Sequence, residues 1–241
     1  MKRQYQYEGL SRRHGFTPAQ IEKACRISDV LEDVSNVPFL RKRLCLYGGT
    51  ALAFLHFPEL ERLSVDIDFN YRHIDLDLDW GEVRNRVDDS LKRVLFSQGY
   101  VDGDIKINAT YPLCRHTVGY TNHLGRRDDF KLETGYMRRA PILMTDTAYT
   151  FNHSGIDTRF MIMSPMKEEL FSNKWCTMLY RGSSRDLFDV YRISQKAHDR
   201  DLFRTAAVVD SLMRRNPKLT EIDIQDTVDT IRVDTYLMNV L

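Results

Sequence analysis

A four-residue apolar run, Leu44-Cys45-Leu46-Tyr47, halts at Gly48-Gly49-Thr50, and shortly afterwards Ser64 to Tyr71 alternates polar and apolar residues. A run that short, bounded by a diglycine, reads as a buried strand entering a tight turn. Residues 50–57 (TALAFLHF) then read as a helix that Pro58 breaks. In the alternating segment Val65, Ile67 and Phe69 share one face, and Ser64, Asp66 and Asp68 share the other. Strand, glycine turn, helix and second strand in succession call for a sheet with helices laid on it, which places the chain in the α/β (α+β) class.

The remaining periodicities extend that frame. Residues 17–35 read as a helix with Thr17 as cap, Pro18 at the first helical position and Gln20 completing a capping box. Residues 81–98 read as an amphipathic helix with Asp79 as cap and Glu82 three residues on. Segments near 105–110, 116–121, 129–137 and 158–163 read as strands. After residue 164 the pattern turns helical, at 165–181, 185–196, 199–215 and 220–240. The expected organisation is an N-terminal helical segment (1–37), a mixed α/β core (38–164) and a helical C-terminal part (165–241) packed on that core.

Composition narrows the function. The net charge is +1, so no global field draws the chain onto nucleic acid, and any such binding falls to local basic runs such as Arg126-Arg127 and Arg138-Arg139. The four cysteines, Cys25, Cys45, Cys114 and Cys176, form no CxxC pair and fit a reducing compartment. Neither an apolar leader nor a membrane-length apolar run occurs, so the expected location is cytoplasmic, with no membrane partner. A P-loop signature, HExxH and a nucleophile elbow are all absent.

The chemistry concentrates on the aspartates. Two carboxylates two apart on a strand point the same way and repel unless a cation neutralises them. Mg²⁺ (or Mn²⁺) takes hard oxygen ligands of this kind together with substrate phosphates. The diglycine lets backbone approach a phosphate closely, and the helix that follows offers free N–H groups to the anion. Asp75, Asp77 and Asp79 also alternate, but no glycine turn precedes them.

Gly48-Gly49-Thr50-Ala51-Leu52, followed by Arg62-Leu63-Ser64-Val65-Asp66-Ile67-Asp68-Phe69, resembles the AbiEii/AbiGii toxin family of the DNA polymerase β-like nucleotidyltransferase superfamily. The resemblance implies a nucleotidyltransferase fold with a mixed central sheet and a helical C-terminal part. It implies a third carboxylate on a neighbouring strand, for which Glu133 in Phe130-Lys131-Leu132-Glu133-Thr134-Gly135-Tyr136 is the match; the family often has Asp there. Lys174 and Arg181, seven apart on one helix face, and Arg185-Asp186-Leu187-Phe188-Asp189 resemble the family's later motifs. Ser183 and Asp186 also fit a capping box, and Arg185 with Asp189 an i,i+4 pair.

By that resemblance Asp66, Asp68 and Glu133 bind metal, and Asp66, Asp68, Glu133, Lys174, Asp186 and Asp189 serve catalysis. Gly48, Gly49, Thr50, Ser64, Lys174, Arg181 and Arg185 hold the NTP. The implied reaction moves a nucleoside monophosphate to an acceptor hydroxyl, with an RNA (tRNA) 3′ end preferred and a protein hydroxyl as the alternative. Arg138 and Arg139 are the candidates for gripping an acceptor phosphate. A toxin role with a cognate antitoxin is also implied. Rival readings are a non-catalytic nucleotide- or RNA-binding module and a metal-dependent phosphohydrolase.

Overall fold

The structure is a computed structural model that describes residues 3–57, 62–153, 156–214 and 224–231. In chain order the elements are α1 (Tyr7–His14), α2 (Pro18–Asn36), α3 (Pro38–Arg41), β1 (Leu44–Tyr47), α4 (Gly48–Ala51) continued by a π-helical turn (Leu52–His56), β2 (Asp66–Tyr71), α5 (Trp80–Ser97), β3 (Ile105–Asn108), β4 (Leu113–Thr121), β5 (Arg127–Gly135), β6 (Asp146–His153), β7 (Ile156–Pro165), α6 (Lys167–Arg181), α7 (Ser184–Ser194), α8 (Arg200–Met213) and α9 (Ile224–Thr230). Within the expected helix at 220–240 the described residues show α9, which ends at Thr230 with Ile231 outside it; positions 220–223 and 232–240, like Pro58, lie outside the described residues.

Two caps form as the sequence dictates. Thr17 accepts from the Gln20 backbone while Gln20 reaches back to Thr17, and Asp79 accepts from the Glu82 N–H at 2.9 Å. Three expectations are corrected. The helix after the diglycine starts at Gly48 itself and widens into a π turn. β2 starts at Asp66, leaving Ser64 and Val65 ahead of it. Ser183 precedes α7 but makes no side-chain cap bond.

Five strands form one mixed sheet in the order β1-β2-β5-β4-β3, and β6 and β7 form a second, two-stranded sheet. β2 and β5 run parallel, whereas β1–β2, β4–β5 and β3–β4 are antiparallel. Period-2 alternation buries Ile67, Phe69 and Tyr71 on β2, Cys114, His116, Val118 and Tyr120 on β4, and Phe130, Leu132 and Thr134 on β5. Helices α2 and α5 lie on this face. Tyr136 donates to Asp88 of α5 at 2.9 Å, and the Arg26 guanidinium of α2 stacks over Tyr120. Each helix turns an apolar stripe inward: Ile21, Ala24, Ile27, Leu31 and Val34 on α2; Val83, Val87, Leu91 and Val94 on α5.

Two compact units emerge, Met1–Ala140 with Ala148–Ser164, and Pro141–Thr147 with Pro165–Leu241. The first contains the five-stranded sheet with α1 to α5. In the second, Glu169 of α6 accepts from the backbone of Ile142 and Leu143. Among the described residues no helix is long and apolar enough to cross a membrane.

Candidate active site

The opposite face of the large sheet carries the polar residues. Register puts Tyr47, Asp68, Glu133, Arg115 and Asn108 in one row across all five strands, with Asp66 beside Lys131 one pleat away. Asp68 and Glu133 are therefore direct cross-strand neighbours, and Asp66 shares their face. The alternation in the sequence foresaw this face for both aspartates.

The glycine turn closes directly over Asp68. β1 ends beside it, and Gly48 takes a left-handed φ of +72°. A Cβ on Gly48 would lie 2.0 Å from Asp68 Oδ2, and one on Gly49 would lie 2.9 Å from Arg62 Nη2 and 3.0 Å from Ser64 Oγ. Gly48 therefore has to be glycine, and a side chain at Gly49 would have to displace the Arg62 guanidinium. The backbone thus runs against the carboxylate of Asp68 and beside the buried guanidinium of Arg62, which donates to the Leu63 carbonyl at 3.2 Å.

Thr50 is fully buried. Its hydroxyl bonds the Asp66 backbone carbonyl and lies 2.9 Å from the hydroxyl of Ser64, itself buried. These two hydroxyls tie the glycine turn to the start of β2; they face inward, and the backbone of Gly48 and Gly49 is what the turn presents. Gly48→Ala should strain the left-handed turn by about 1–2 kcal/mol and push the Asp68 carboxylate aside. The expected outcome is at least a tenfold fall in transfer rate (about 1.4 kcal/mol) with the chain still folded, read from initial rates beside a denaturant melt. An unchanged rate would separate the turn from the chemistry.

Glu133 has a partner that sequence reasoning missed. Arg115 Nε donates to Glu133 Oε1 at 2.5 Å. The pairing depends on the β4–β5 register, which no local pattern in the sequence encodes. Asp66 and Asp68 present hard oxygens suited to Mg²⁺ or Mn²⁺, and the backbone closing on Asp68 leaves a cradle that a Cβ would fill. Glu133 joins them by register, with one oxygen already engaged by Arg115.

In the second unit Lys174, Asp186 and Asp189 are brought together. Lys174 Nζ lies 3.0 Å from Asp186 Oδ1 and 3.0 Å from Asp189 Oδ2, with side-chain exposures of 12%, 4% and 9%. Arg181 Nε is 3.6 Å from Asp186 Oδ2, and its side chain is 60% exposed. Lys174 is therefore a largely buried ion-pair residue. Asp189 pairs with Lys174 of the preceding helix, a partner that the i,i+4 reading with Arg185 did not anticipate. Arg185 is half-buried in the first turn of α7.

Arg139, a candidate for the acceptor, folds back on its own unit. Its guanidinium stacks 3.8 Å over the Trp80 ring and donates to the Tyr136 carbonyl (2.9 Å) and the Tyr111 hydroxyl (3.2 Å). Arg138 is half-buried, and its carbonyl accepts from Arg72 at 2.8 Å.

A mixed sheet with two aspartates on one strand, a glycine turn over one of them and a carboxylate on the adjoining parallel strand is the architecture of a nucleotidyltransferase. The family model described as nucleotidyl transferase AbiEii toxin, type IV TA system, matches residues 29–235, and the chain belongs to that family. Its fold is similar to that of MenT4, a nucleotidyltransferase toxin from Mycobacterium tuberculosis H37Rv, with a TM-score of 0.68 and 18% identity over 96% of this chain and 79% of that one. An antigenic nucleotidyltransferase-like protein from Paracoccidioides brasiliensis aligns with a TM-score of 0.41 and 15% identity over 86% of this chain and 96% of that one. No curated protein sequence matches the chain significantly.

Proposed function

We propose that this protein transfers a nucleoside monophosphate from an NTP to the 3′ hydroxyl of an RNA of the tRNA class, acting as the toxin of a pair whose antitoxin restrains it. The observation that carries the transferase reading is the closure of the Gly48-Gly49 turn over Asp68 in the same sheet row as Glu133. The acceptor oxygen bonds to the α-phosphorus, the bond from that phosphorus to the β-phosphate oxygen breaks, and pyrophosphate leaves. The proton of the acceptor hydroxyl passes to a carboxylate or to water.

Asp66 and Asp68 would hold Mg²⁺ or Mn²⁺, with Glu133 supplying a further oxygen. A divalent ion there supplies charge neutralisation on the phosphates and a lowered pKa for the attacking hydroxyl. The backbone at Gly48 and Gly49 gives the phosphates a close approach, and Arg62 sets a buried cation beside it. Arg115 orients Glu133 through Oε1, leaving Oε2 to face the metal or the proton. The assignment of Lys174, Arg181 and Arg185 to the triphosphate rests on the family resemblance alone. Arg138 and Arg139 stay the candidates for an acceptor phosphate, and Arg139 would have to leave its stack on Trp80 to reach one.

The test is incubation of the chain with each labelled NTP in turn, Mg²⁺ and either total RNA or total protein, followed by electrophoresis. Label in a tRNA-sized band with one NTP is the expected result. A labelled protein band beside unlabelled RNA would replace the RNA acceptor with a protein hydroxyl. Absence of any transfer would favour a binding module.

A further inference from the structure

Cys114 and His116 are two apart on β4, so the pleat turns both to the face covered by α5, opposite to Arg115. Asp88 meets them from α5. One ligand atom of each, the Cys114 sulfur, a His116 nitrogen and an Asp88 carboxylate oxygen, lies within 4.8 Å of the others. Among the described residues this is the one group of three or more such side chains gathered so closely. We infer that Asp88, Cys114 and His116 form a second metal site, for a borderline divalent cation of the zinc class, separate from the carboxylates on the other face of the sheet.

His116 is 0% exposed, and neither ring nitrogen has a hydrogen-bond partner. The Leu132 backbone, its register neighbour on β5, lies close enough to act on the ring, but neither nitrogen forms a well-aligned hydrogen bond. A fully buried imidazole held this weakly is rare, and ligation to a metal accounts for it. Burial holds the imidazole below its ordinary pKa, so the ring is neutral with a lone pair to give. The donor set of one thiolate, one imidazole and one carboxylate suits zinc and not magnesium. The Tyr136 hydroxyl, donating to Asp88 Oδ1 at 2.9 Å, is the outer partner that ligating carboxylates normally have.

Without metal the Cys114 thiol is pushed up to about 12, by burial and by Asp88. Binding therefore replaces the thiol proton, which leaves to solvent as the sulfur–metal bond forms. The other charges facing the group are Arg84 and Lys92, both on α5. One thiolate and one carboxylate balance a divalent cation, so the site needs no further anion. Zinc at about 2.0–2.3 Å from each ligand sets ligand atoms roughly 3.5 Å apart, a spacing that atoms already within 4.8 Å of one another reach by small side-chain adjustments. Complete burial of Cys114 rules out the other chemistry of a Cys/His/Asp set, nucleophilic attack, because no substrate reaches the sulfur. The metal would instead fasten α5 to β4 behind the residue that holds Glu133.

The full chain, stripped with chelator, is titrated with Co²⁺ and then with Zn²⁺. Expected are a thiolate-to-cobalt absorption band saturating at one ion per chain, its loss on adding Zn²⁺, and a Tm raised by Zn²⁺. Cys114→Ser and His116→Gln should abolish the band, whereas Cys176→Ser, at a buried cysteine on α6, should keep it. Tyr136→Phe, which removes only the outer partner, should weaken Co²⁺ binding about tenfold or more, and it decides the matter if the ligand variants do not fold. No thiolate band in the wild-type chain, an undiminished band in Cys114→Ser, or unchanged affinity in Tyr136→Phe would overturn the site.

Discussion

Asp68→Asn is expected to lower nucleotide transfer by about a hundredfold or more, with the melting curve almost unmoved. The two effects separate because of where the side chain stands. Asp68 is half-buried on the polar face of the sheet, directly beside Glu133 in the register, with Asp66 two residues away on the same strand. Asparagine is nearly isosteric with aspartate at this half-buried strand position, so folding is expected to change by only about 1 kcal/mol. The asparagine keeps the shape that the glycine turn closes upon. What disappears is the charge that holds a divalent ion against the phosphates, worth several kcal/mol in the transition state; about 2.7 kcal/mol already corresponds to a hundredfold. Asp66→Asn should behave alike. Asp77→Asn, in the other alternating acidic stretch, serves as the control. Initial rates with labelled NTP, taken beside thermal melts, read both quantities. Wild-type turnover in Asp68→Asn would remove the site from this face of the sheet.

What the sequence disclosed follows the range of the interactions involved. The diglycine turn, the alternation that turns Asp66 and Asp68 to one face and the Thr17 and Asp79 caps are all settled within a few residues, so local patterns display them. Of the other alternating aspartates, Asp79 resolves locally as the cap of α5, and Asp75 accepts from the Tyr71 hydroxyl four residues away at 2.8 Å but is also held at long range by Arg43. Two omitted elements had local signals. Helix α1 closes with Arg12-Arg13-His14 and then Gly15 at φ +77°, the usual pattern of a helix end. In β6, Thr147, Tyr149 and Phe151 alternate with polar or small residues.

Long-range pairings left no such trace. Arg115 reaches Glu133 only because β4 and β5 adopt one register, and Asp88 joins Cys114 and His116 only because α5 crosses β4. The ion pairs of Lys174 escape the local pattern for the same reason. A seven-residue spacing to Arg181 is a fact about one helix, while the carboxylates that capture the ammonium come from the next one.

Lys174→Ala should destabilise the chain by about 3–5 kcal/mol, far more than the roughly 0.5 kcal/mol of a surface substitution. Its ammonium bridges Asp186 and Asp189, both almost wholly buried, and alanine removes that bridge between two like charges. Arg181 offsets little of this, being 3.6 Å from one Asp186 oxygen and largely in solvent. A loss of activity in that variant alone would not tell a structural ion triad from a nucleotide contact. The triple variant Lys174→Met, Asp186→Asn, Asp189→Asn does, because it removes the three charges of the bridge together. Its stability should return to within about 1–2 kcal/mol of wild type, since buried ion groups replaced as a set cost little. If the lysine also meets the triphosphate, the triple variant folds but binds NTP more weakly and transfers nucleotide slowly. Denaturant melts, calorimetric NTP titration and initial rates on the same three proteins give the answer. A Lys174→Ala change below about 0.5 kcal/mol would show that the triad does not form, and wild-type NTP affinity and turnover in the folded triple variant would confine Lys174 to holding α6 against α7.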